Sequence, residues 1–258
     1  MLTQAKVIRG TLVPMGRQPD GDSIRFRADK PSLFPDIYRG YKIKPAADGT
    51  VQLRLQGIGS PETHFGGHGQ PLGDKARDAL FGFLGFKQVK VQGNSVTDCE
   101  PDTCCAAILT SGGDPHGQPI CHLLPAAAAA GLNDGRALRV SQQLLRQTVN
   151  FAQVERGMAY PLFYESMAPS HFKVFREAAI GAERHNRGIW FHDRTAEFLL
   201  DRQADASDVP GWEADFPEAL SAGDGLFARE WRLGGRGEFE AVAGQDGGRE
   251  RRSTGCRG

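Results

Sequence analysis

The sequence predicts an α+β domain in which about five short strands combine with three helices. Two observations predict it. Short β-rich runs alternate between polar and apolar residues and are joined by turn residues, the pattern of half-buried strands. Three longer stretches carry apolar residues at helical spacing. Short strands linked by turns favour an antiparallel barrel or sandwich.

The strand signals fall in four runs. Residues 6–13 are rich in β-branched side chains, and residues 23–27 and 51–55 alternate polar with apolar side chains. Residues 89–91 continue the alternation. The pair Asp20-Gly21 precedes the second run and predicts a turn between the first two strands.

Three helices are expected between and after these strands. Residues 72–84 place leucine, alanine and phenylalanine on one helical face. Asn150 is expected to cap a short second helix, with Gln153 as its capping-box partner. Ser170 is expected to cap a third helix that ends at Gly188.

Composition limits the possible environments and partners. The chain has 258 residues, with 31 Lys plus Arg and 31 Asp plus Glu, so it has no global attraction to nucleic acid, although a local basic patch is compatible with that balance. No apolar stretch approaches the ~18 residues of a transmembrane helix. No secretory signal is visible at the start. We therefore expect a cytoplasmic protein with no membrane partner.

The chain divides into a folded part and an extension. Residues 1–195 are expected to form one domain, and residues 196–258 a C-terminal extension. Beyond residue 233 the sequence is rich in Gly and Arg and lacks apolar periodicity. Such a segment cannot bury enough apolar surface to offset its chain entropy, so we expect it to be largely disordered.

Six segments, in order, carry a family resemblance. They are DGDS at 20–23, RLQGIGSPE at 54–62, the helix at 73–86, DPHGQP at 114–119, VNFAQVERGMA at 149–159 and GIW at 188–190. Together they resemble the staphylococcal nuclease (thermonuclease) family over about residues 6–193. The resemblance implies an OB-type five-stranded β-barrel with three helices.

The resemblance also implies a function. Members of this family are hydrolases, endonucleases among them, that cut the phosphodiester backbone of DNA and RNA, usually with calcium. On that basis Asp22 and the backbone carbonyl of Ser60 bind Ca²⁺ or another divalent cation. Arg54 binds the scissile phosphate, and Glu62 activates or orients water. Gln118 occupies the position of a second catalytic residue.

Two of the positions differ from the family pattern. Gly59 stands where the family has a second calcium carboxylate, and Gln118 stands where it has a second arginine. The cation should therefore bind weakly, with Asp20 as a possible substitute ligand. Loss of one charged transition-state donor costs on the order of 3 kcal/mol, so the enzyme should be weakened.

Three further residues are expected to contact substrate. His116 takes the place of a tyrosine in the family's turn and can still stack or donate a hydrogen bond. Phe163 and Tyr164 offer a surface on which bases can stack. Packing in the core is the alternative for both aromatic residues.

Two functions remain open from the sequence. The first is a metal-dependent nuclease acting on DNA or RNA, and the second is an inactive nuclease-fold protein that binds nucleic acid or a protein partner. Two weaker signals also stay open. His64 and His68 have a zinc-like spacing within a glycine-rich loop. Clustered cysteines at 99, 104 and 105 suit free thiols or a local disulfide.

Overall fold

The structure, a computed structural model, describes residues 4–64, 69–164 and 167–193. Ten strands and six helices lie in these ranges. The strands are β1 (Ala5–Leu12), β2 (Ser23–Ala28), β3 (Thr50–Leu55), β4 (Ile58–Gly59), β5 (Lys87–Gln92), β6 (Ser95–Glu100), β7 (Cys104–Gly113), β8 (Pro119–Pro125), β9 (Ala137–Leu138) and β10 (Tyr160–Pro161). The helices are α1 (Gly73–Leu84), α2 (Ala126–Ala129), α3 (Gln142–Leu145), α4 (Val149–Glu155), α5 (Pro169–Arg184) and α6 (Ile189–His192). The predicted extension at 196–258 lies outside the described residues.

Five strands close a mixed β-barrel in the order β1, β2, β3, β8, β7 and back to β1. Four of the five pairings are antiparallel. The fifth is parallel and sets Arg54 of β3 opposite Ile120 of β8. The expected antiparallel barrel is therefore wrong at this pair. Parallel neighbours need a long connection, and the chain between β3 and β8 supplies one through β4, α1 and β5 to β7.

Alternate residues of each strand fill the barrel. In β2 and β3 the buried positions include Ile24, Phe26, Leu53 and Leu55. The residues between them, Arg54 among them, face outward and are partly exposed. The predicted alternation of these two strands is confirmed, and with the helices outside the barrel the fold is an α+β, OB-like arrangement.

The three predicted helices are present as α1, α4 and α5, but their ends differ from the prediction. Thr148 rather than Asn150 caps α4, because its hydroxyl accepts a hydrogen bond from the Phe151 N–H at 3.2 Å. Helix α5 begins at Pro169 without a side-chain cap, so the assignment of Ser170 is also wrong. The same helix ends at Arg184, and Gly188 precedes α6 instead.

Helix α4 lies against β8, α1 and α5 and carries two buried amide side chains. Asn150 accepts a hydrogen bond from the Leu123 N–H at 2.9 Å. Its Nδ2 donates to the carbonyl oxygens of Gln56 and Cys121 at 2.9 and 3.1 Å. Gln153 donates to the carbonyl oxygens of Gly21 and Ala76. One helix therefore links the turn at residues 20–23 with α1, β8 and Gln56, the residue that follows β3.

The connection between β2 and β3 is unusually long for adjacent antiparallel strands, which commonly need two to five residues. It runs over residues 29–49 and contains two short 3₁₀ turns, Pro31–Asp36 and Gly40–Lys42. The Tyr38 N–H donates to the Ser111 carbonyl at 3.1 Å, and the Gly113 N–H donates to the Tyr38 carbonyl at 2.8 Å. These bonds fasten the connection to the end of β7.

Two other predictions concern membranes and cysteines. Among the described residues, no helix combines the length and the apolar character that crossing a membrane requires. Cys99, Cys104, Cys105 and Cys121 are free thiols, so the structure agrees with the first of the two cysteine alternatives.

Candidate functional site

Three segments converge at one end of the barrel: the turn at residues 20–23, the end of β3 and the corner that follows it. Ser23 is the register partner of Arg54, and the Leu55 N–H donates to the Asp22 carbonyl at 3.0 Å. Gly21 allows the close approach, because a Cβ there would lie 2.8 Å from the Ser60 Cβ. The turn is thus packed directly against the chain that carries Ser60.

Asp22 is the electrostatic centre of this cluster. The Ser60 hydroxyl donates to its Oδ1 at 3.2 Å, and the side chain is partly buried. Burial, reinforced by the neighbouring Asp20 carboxylate, raises the pKa of Asp22 to about 6, while Arg54 and Ser60 oppose the rise. Asp20 and Arg54 therefore each lie close enough to act on Asp22, and a positive charge would relieve the repulsion between the two carboxylates.

Asp20 fixes the position of Thr63 by hydrogen bonds. Its Oδ1 accepts hydrogen bonds from the Thr63 N–H, at 3.0 Å, and from the Thr63 hydroxyl. That oxygen is engaged in fixing the backbone immediately after Glu62. The role of Asp20 as a substitute cation ligand stays a prediction, and only its other carboxylate oxygen would be left for it.

The backbone of Glu62 is fixed from both sides. Its N–H donates to Gln70 Oε1 at 2.8 Å, and its carbonyl accepts from the Gln70 N–H at 2.8 Å. The start of α1 lies close to it, since a Cβ on Gly73 would fall 2.4 Å from the Glu62 carbonyl oxygen. Glu62 is therefore held two residues beyond Ser60, with a partly exposed side chain.

The position expected to lack a carboxylate lies inside a short strand pair. Gly59 of β4 is buried and pairs with Tyr160 of β10. Phe163 and Tyr164 follow β10, and the antiparallel register carries the chain past Gly57 rather than towards Ser60, so the pairing does not bring them to the site. The ring of Phe163 packs against that of Phe172 with 4.1 Å between centroids, whereas Tyr164 is 43% exposed. The packing alternative is thus realised for Phe163, and Tyr164 remains accessible.

A second turn, residues 114–118, carries Gln118 and His116 and leads into β8, the parallel neighbour of β3. The buried Asp114 accepts the N–H groups of His116 and Gln118 at 2.9 and 2.7 Å through one oxygen, Oδ1. Its N–H donates to the Gln118 carbonyl at 2.9 Å, which closes the turn. Asp114 therefore determines where both predicted site residues lie.

Strand register relates Gln118 to Arg54. Gln118 precedes Ile120, the register partner of Arg54, by two residues. Pro119 and Cys121 are buried in the barrel, so Ile120 and Gln118 alternate to the outside, as Arg54 does. His116 lies beyond them, exposed in the turn.

The cluster brings two carboxylates, those of Asp20 and Asp22, near each other. Calcium takes six to eight oxygen ligands, so a cation held by these two groups would depend on backbone oxygens or water for the rest. Within the described ranges, no group of three or more His, Cys, Asp or Glu side chains could hold a metal ion. The suggested zinc pair stays a prediction, because His68 lies outside those ranges and His64 is exposed.

Sequence reasoning gave no role to several residues that build this site. The sequence gives Asp114 no separate role, although an aspartate three residues before a glycine is typical of a turn whose carboxylate binds backbone N–H groups. Asn150 was assigned to a helix cap, and its burial gives it a different role. Outside the site, the sequence also gives no role to Tyr38 and Tyr41, two tyrosines among three cations in a strand connection.

The assembled residues have complementary chemical capacities. Arg54 can bind an anion through its planar guanidinium group, Asp22 can bind a cation, and Glu62 can accept a proton from water.

A comparison with protein-family models finds no match to this chain, and one with curated proteins finds no significant match.

Proposed function

We propose that the protein is a divalent-cation-dependent phosphodiesterase of the staphylococcal nuclease family that acts on DNA or RNA with a weakened active site. One observation carries the proposal: the partly buried Asp22 carboxylate accepts a hydrogen bond from Ser60 and is close enough to Asp20 and Arg54 to feel both charges. Opposite charges side by side suit a substrate that is an anion and a cofactor that is a cation. The closed barrel and the order of the six sequence motifs support the same family.

Each described residue has a distinct task in this proposal. Arg54 binds two oxygens of the scissile phosphate and so orients it and lowers the cost of the charge that develops there. Glu62, whose backbone is fixed by Gln70, accepts a proton from the attacking water. Gln118 donates an uncharged hydrogen bond to the phosphate.

Asp22, Asp20 and the Ser60 carbonyl would hold the cation, with calcium as the first candidate. When bound, such a cation supplies positive charge beside the phosphate oxygens. Asp22 must be ionised to hold it, so protons compete with the cation increasingly as the pH falls through the raised pKa of about 6. The cytoplasmic location and the nucleic-acid partner remain predictions.

Gln118 and Gly59 support a second candidate function, that of a nuclease-fold protein that binds nucleic acid or a protein without cutting. Both positions lack the charge that the family pattern has there. OB-type barrels bind single strands without any catalytic group, through stacking and basic grooves.

Digestion of plasmid DNA and single-stranded RNA with calcium, magnesium or manganese decides between the two functions. We expect cutting that stops in a chelator and falls 10²- to 10⁴-fold in Glu62→Gln, on the order of a lost general base. The matched control is Glu183→Gln on the exposed side of α5, which should cut as the wild type does. Equal cutting by wild type and Glu62→Gln would contradict the assigned role.

Restoration of the missing charges completes the design. If the wild type is inert and the double variant Gly59→Asp/Gln118→Arg cuts, the chain is a binding protein on a nuclease scaffold. Cutting by the wild type that depends on a divalent cation and on Glu62 rules out the binding-only function.

A further inference from the structure

The long connection between β2 and β3 exposes two tyrosines. Tyr38 is 68% exposed and Tyr41 is 73% exposed. Tyrosine normally buries most of its ring, so two such rings in one short segment are an informative surface feature. Neither ring belongs to the site residues described above.

Positive charge accompanies these rings. Residues 37–44, here called the tyrosine platform, read IYRGYKIK and contain Arg39, Lys42 and Lys44 but no acidic residue. The guanidinium carbon of Arg39 lies 5.1 Å from the centroid of the Tyr38 ring. Because the whole chain is neutral, this segment is a local concentration of cations.

The tyrosine platform is fastened to the candidate site. Its backbone hydrogen bonds join Tyr38 to the end of β7, and the buried Ile43 anchors its other end. Gly117 approaches it so closely that a Cβ there would lie 2.5 Å from the Lys42 carbonyl oxygen. Lys42 Nζ also donates to the Pro115 carbonyl at 3.4 Å. The platform thus adjoins the turn that carries His116 and Gln118.

We propose that the tyrosine platform binds single-stranded nucleic acid. Tyr38 and Tyr41 stack on unpaired bases, while Arg39, Lys42 and Lys44 contact the phosphates between them. Stacking requires exposed base faces, which a duplex does not offer, so the platform selects single strands. This inference rests on the proposed function and narrows its substrate to single-stranded DNA or RNA that passes from the platform towards Gln118.

The test measures fluorescence anisotropy of a labelled oligothymidylate of about 12 nucleotides, in a chelator so that metal-dependent hydrolysis is stopped. Replacing both rings, Tyr38→Ala/Tyr41→Ala, should raise Kd about tenfold or more, since base stacking is lost. The matched control Tyr38→Phe/Tyr41→Phe keeps the rings and should bind within about twofold of the wild type. A duplex of equal length should bind more weakly and respond little to either change.

A charge variant separates the two contributions. Lys42→Gln/Lys44→Gln should lower the slope of log affinity against log salt by about 1.4, roughly 0.7 for each lost phosphate contact. The tyrosine variants should leave that slope unchanged. Circular dichroism melting of every variant shows that the comparison is between folded proteins.

Absence of oligothymidylate binding by the wild type, or equal binding by the wild type and the alanine pair, overturns the inference. The proposed function fails separately. A chain that binds through the two tyrosines but never cuts defeats the nuclease proposal alone, and a chain that cuts but binds independently of them defeats the platform alone.

Discussion

The two turns of the candidate site use aspartate in opposite ways. In the turn at residues 20–23, the Asp22 carboxylate lies near the charges of Asp20 and Arg54 and accepts a hydrogen bond from the Ser60 hydroxyl. In the turn at residues 114–118, Asp114 is buried and gives one oxygen to two backbone N–H groups. The aspartate of the first turn therefore places charge at the candidate site. The aspartate of the second turn fixes the backbone that carries Gln118 and His116.

The comparison shows that the backbone shape of a turn does not depend on the charge of the residue that the turn presents. The second turn is fully organised although the residue that it presents, Gln118, is uncharged. Its shape depends on Asp114 and on the close approach of Gly117 to the tyrosine platform. A charge could therefore be added at Gln118 without rebuilding the turn, which is the basis of the largest effect that we predict.

Gln118→Arg should raise the rate of nucleic-acid cleavage by about a hundredfold, because a charged donor on the phosphate is worth on the order of 3 kcal/mol in the transition state. The measurement is kcat on a single-stranded substrate with calcium. Gln118→Met, which removes the hydrogen bond without adding charge, is the control and should not exceed the wild type. An unchanged rate in Gln118→Arg would mean that the second turn does not face the reacting phosphate.

Asp114→Ala should destabilise the fold by about 3 kcal/mol, because it removes a charged acceptor of two backbone hydrogen bonds. Urea unfolding at neutral pH measures the free energy. Asp114→Asn retains an acceptor oxygen and should lose less. If the alanine variant is as stable as the wild type, the turn does not depend on this carboxylate and the contrast between the two turns disappears.

Asp22→Asn should have the opposite sign and stabilise the fold by about 2 kcal/mol near pH 7.5. With a folded pKa of about 6, the carboxyl group keeps its proton in the folded protein after the unfolded chain has lost it. The free-energy cost of ionising Asp22 in the folded protein therefore appears as the pH rises from about 4 to about 6 and is constant above that. Urea unfolding of both proteins at several pH values should show no difference below about pH 4.

Asp48 provides the control for that pH dependence. Hydrogen bonds from Thr50, with help from Arg17, lower the pKa of Asp48 to about 2. Its contribution is present above the unfolded pKa and is lost as the pH falls, so Asp48→Asn should destabilise the protein at neutral pH. The same sign of change in Asp22→Asn and Asp48→Asn would contradict the buried, repelled carboxylate at Asp22.

Thr148→Ala should cost about 1 kcal/mol, the usual value of a helix cap. Thr148 caps the helix that binds the turn at residues 20–23 and strand β8, and its hydroxyl is buried. Ser141, which caps α3 in an exposed position, is the matched control, and Ser141→Ala should lose less. Thermal unfolding of both variants measures the two losses of stability. Equal losses would mean that burial of the Thr148 hydroxyl adds nothing to the stability of α4.

The sequence predicted the strands and helices that have strong periodicity. Alternation in β2 and β3 placed Arg54 outside the barrel, because side chains of a strand alternate between two faces. It could not identify the parallel pairing of β3 with β8, since the period of a strand carries no information on its partner. Pairing is decided by the long connection and by the core that it closes.

The helix caps show a different limit. Asn150 and Gln153 match the local pattern of a capping box, yet both are buried in α4 and bind backbone groups far away in sequence. Local hydrogen bonding and tertiary hydrogen bonding use the same residue types, so the pattern alone cannot separate them. The candidate site residues are predicted from family motifs and stay predictions, whereas the residues that position them are seen only in the structure.

Helix α4 has a consequence for how this protein can diversify. Asn150 and Gln153 bind peptide groups, which every amino acid carries, rather than the side chains of the site. Substitutions at Gly59 or Gln118 therefore leave those bonds available. The charge at this end of the barrel can therefore change one position at a time while selection on folding continues to act on two neutral amides.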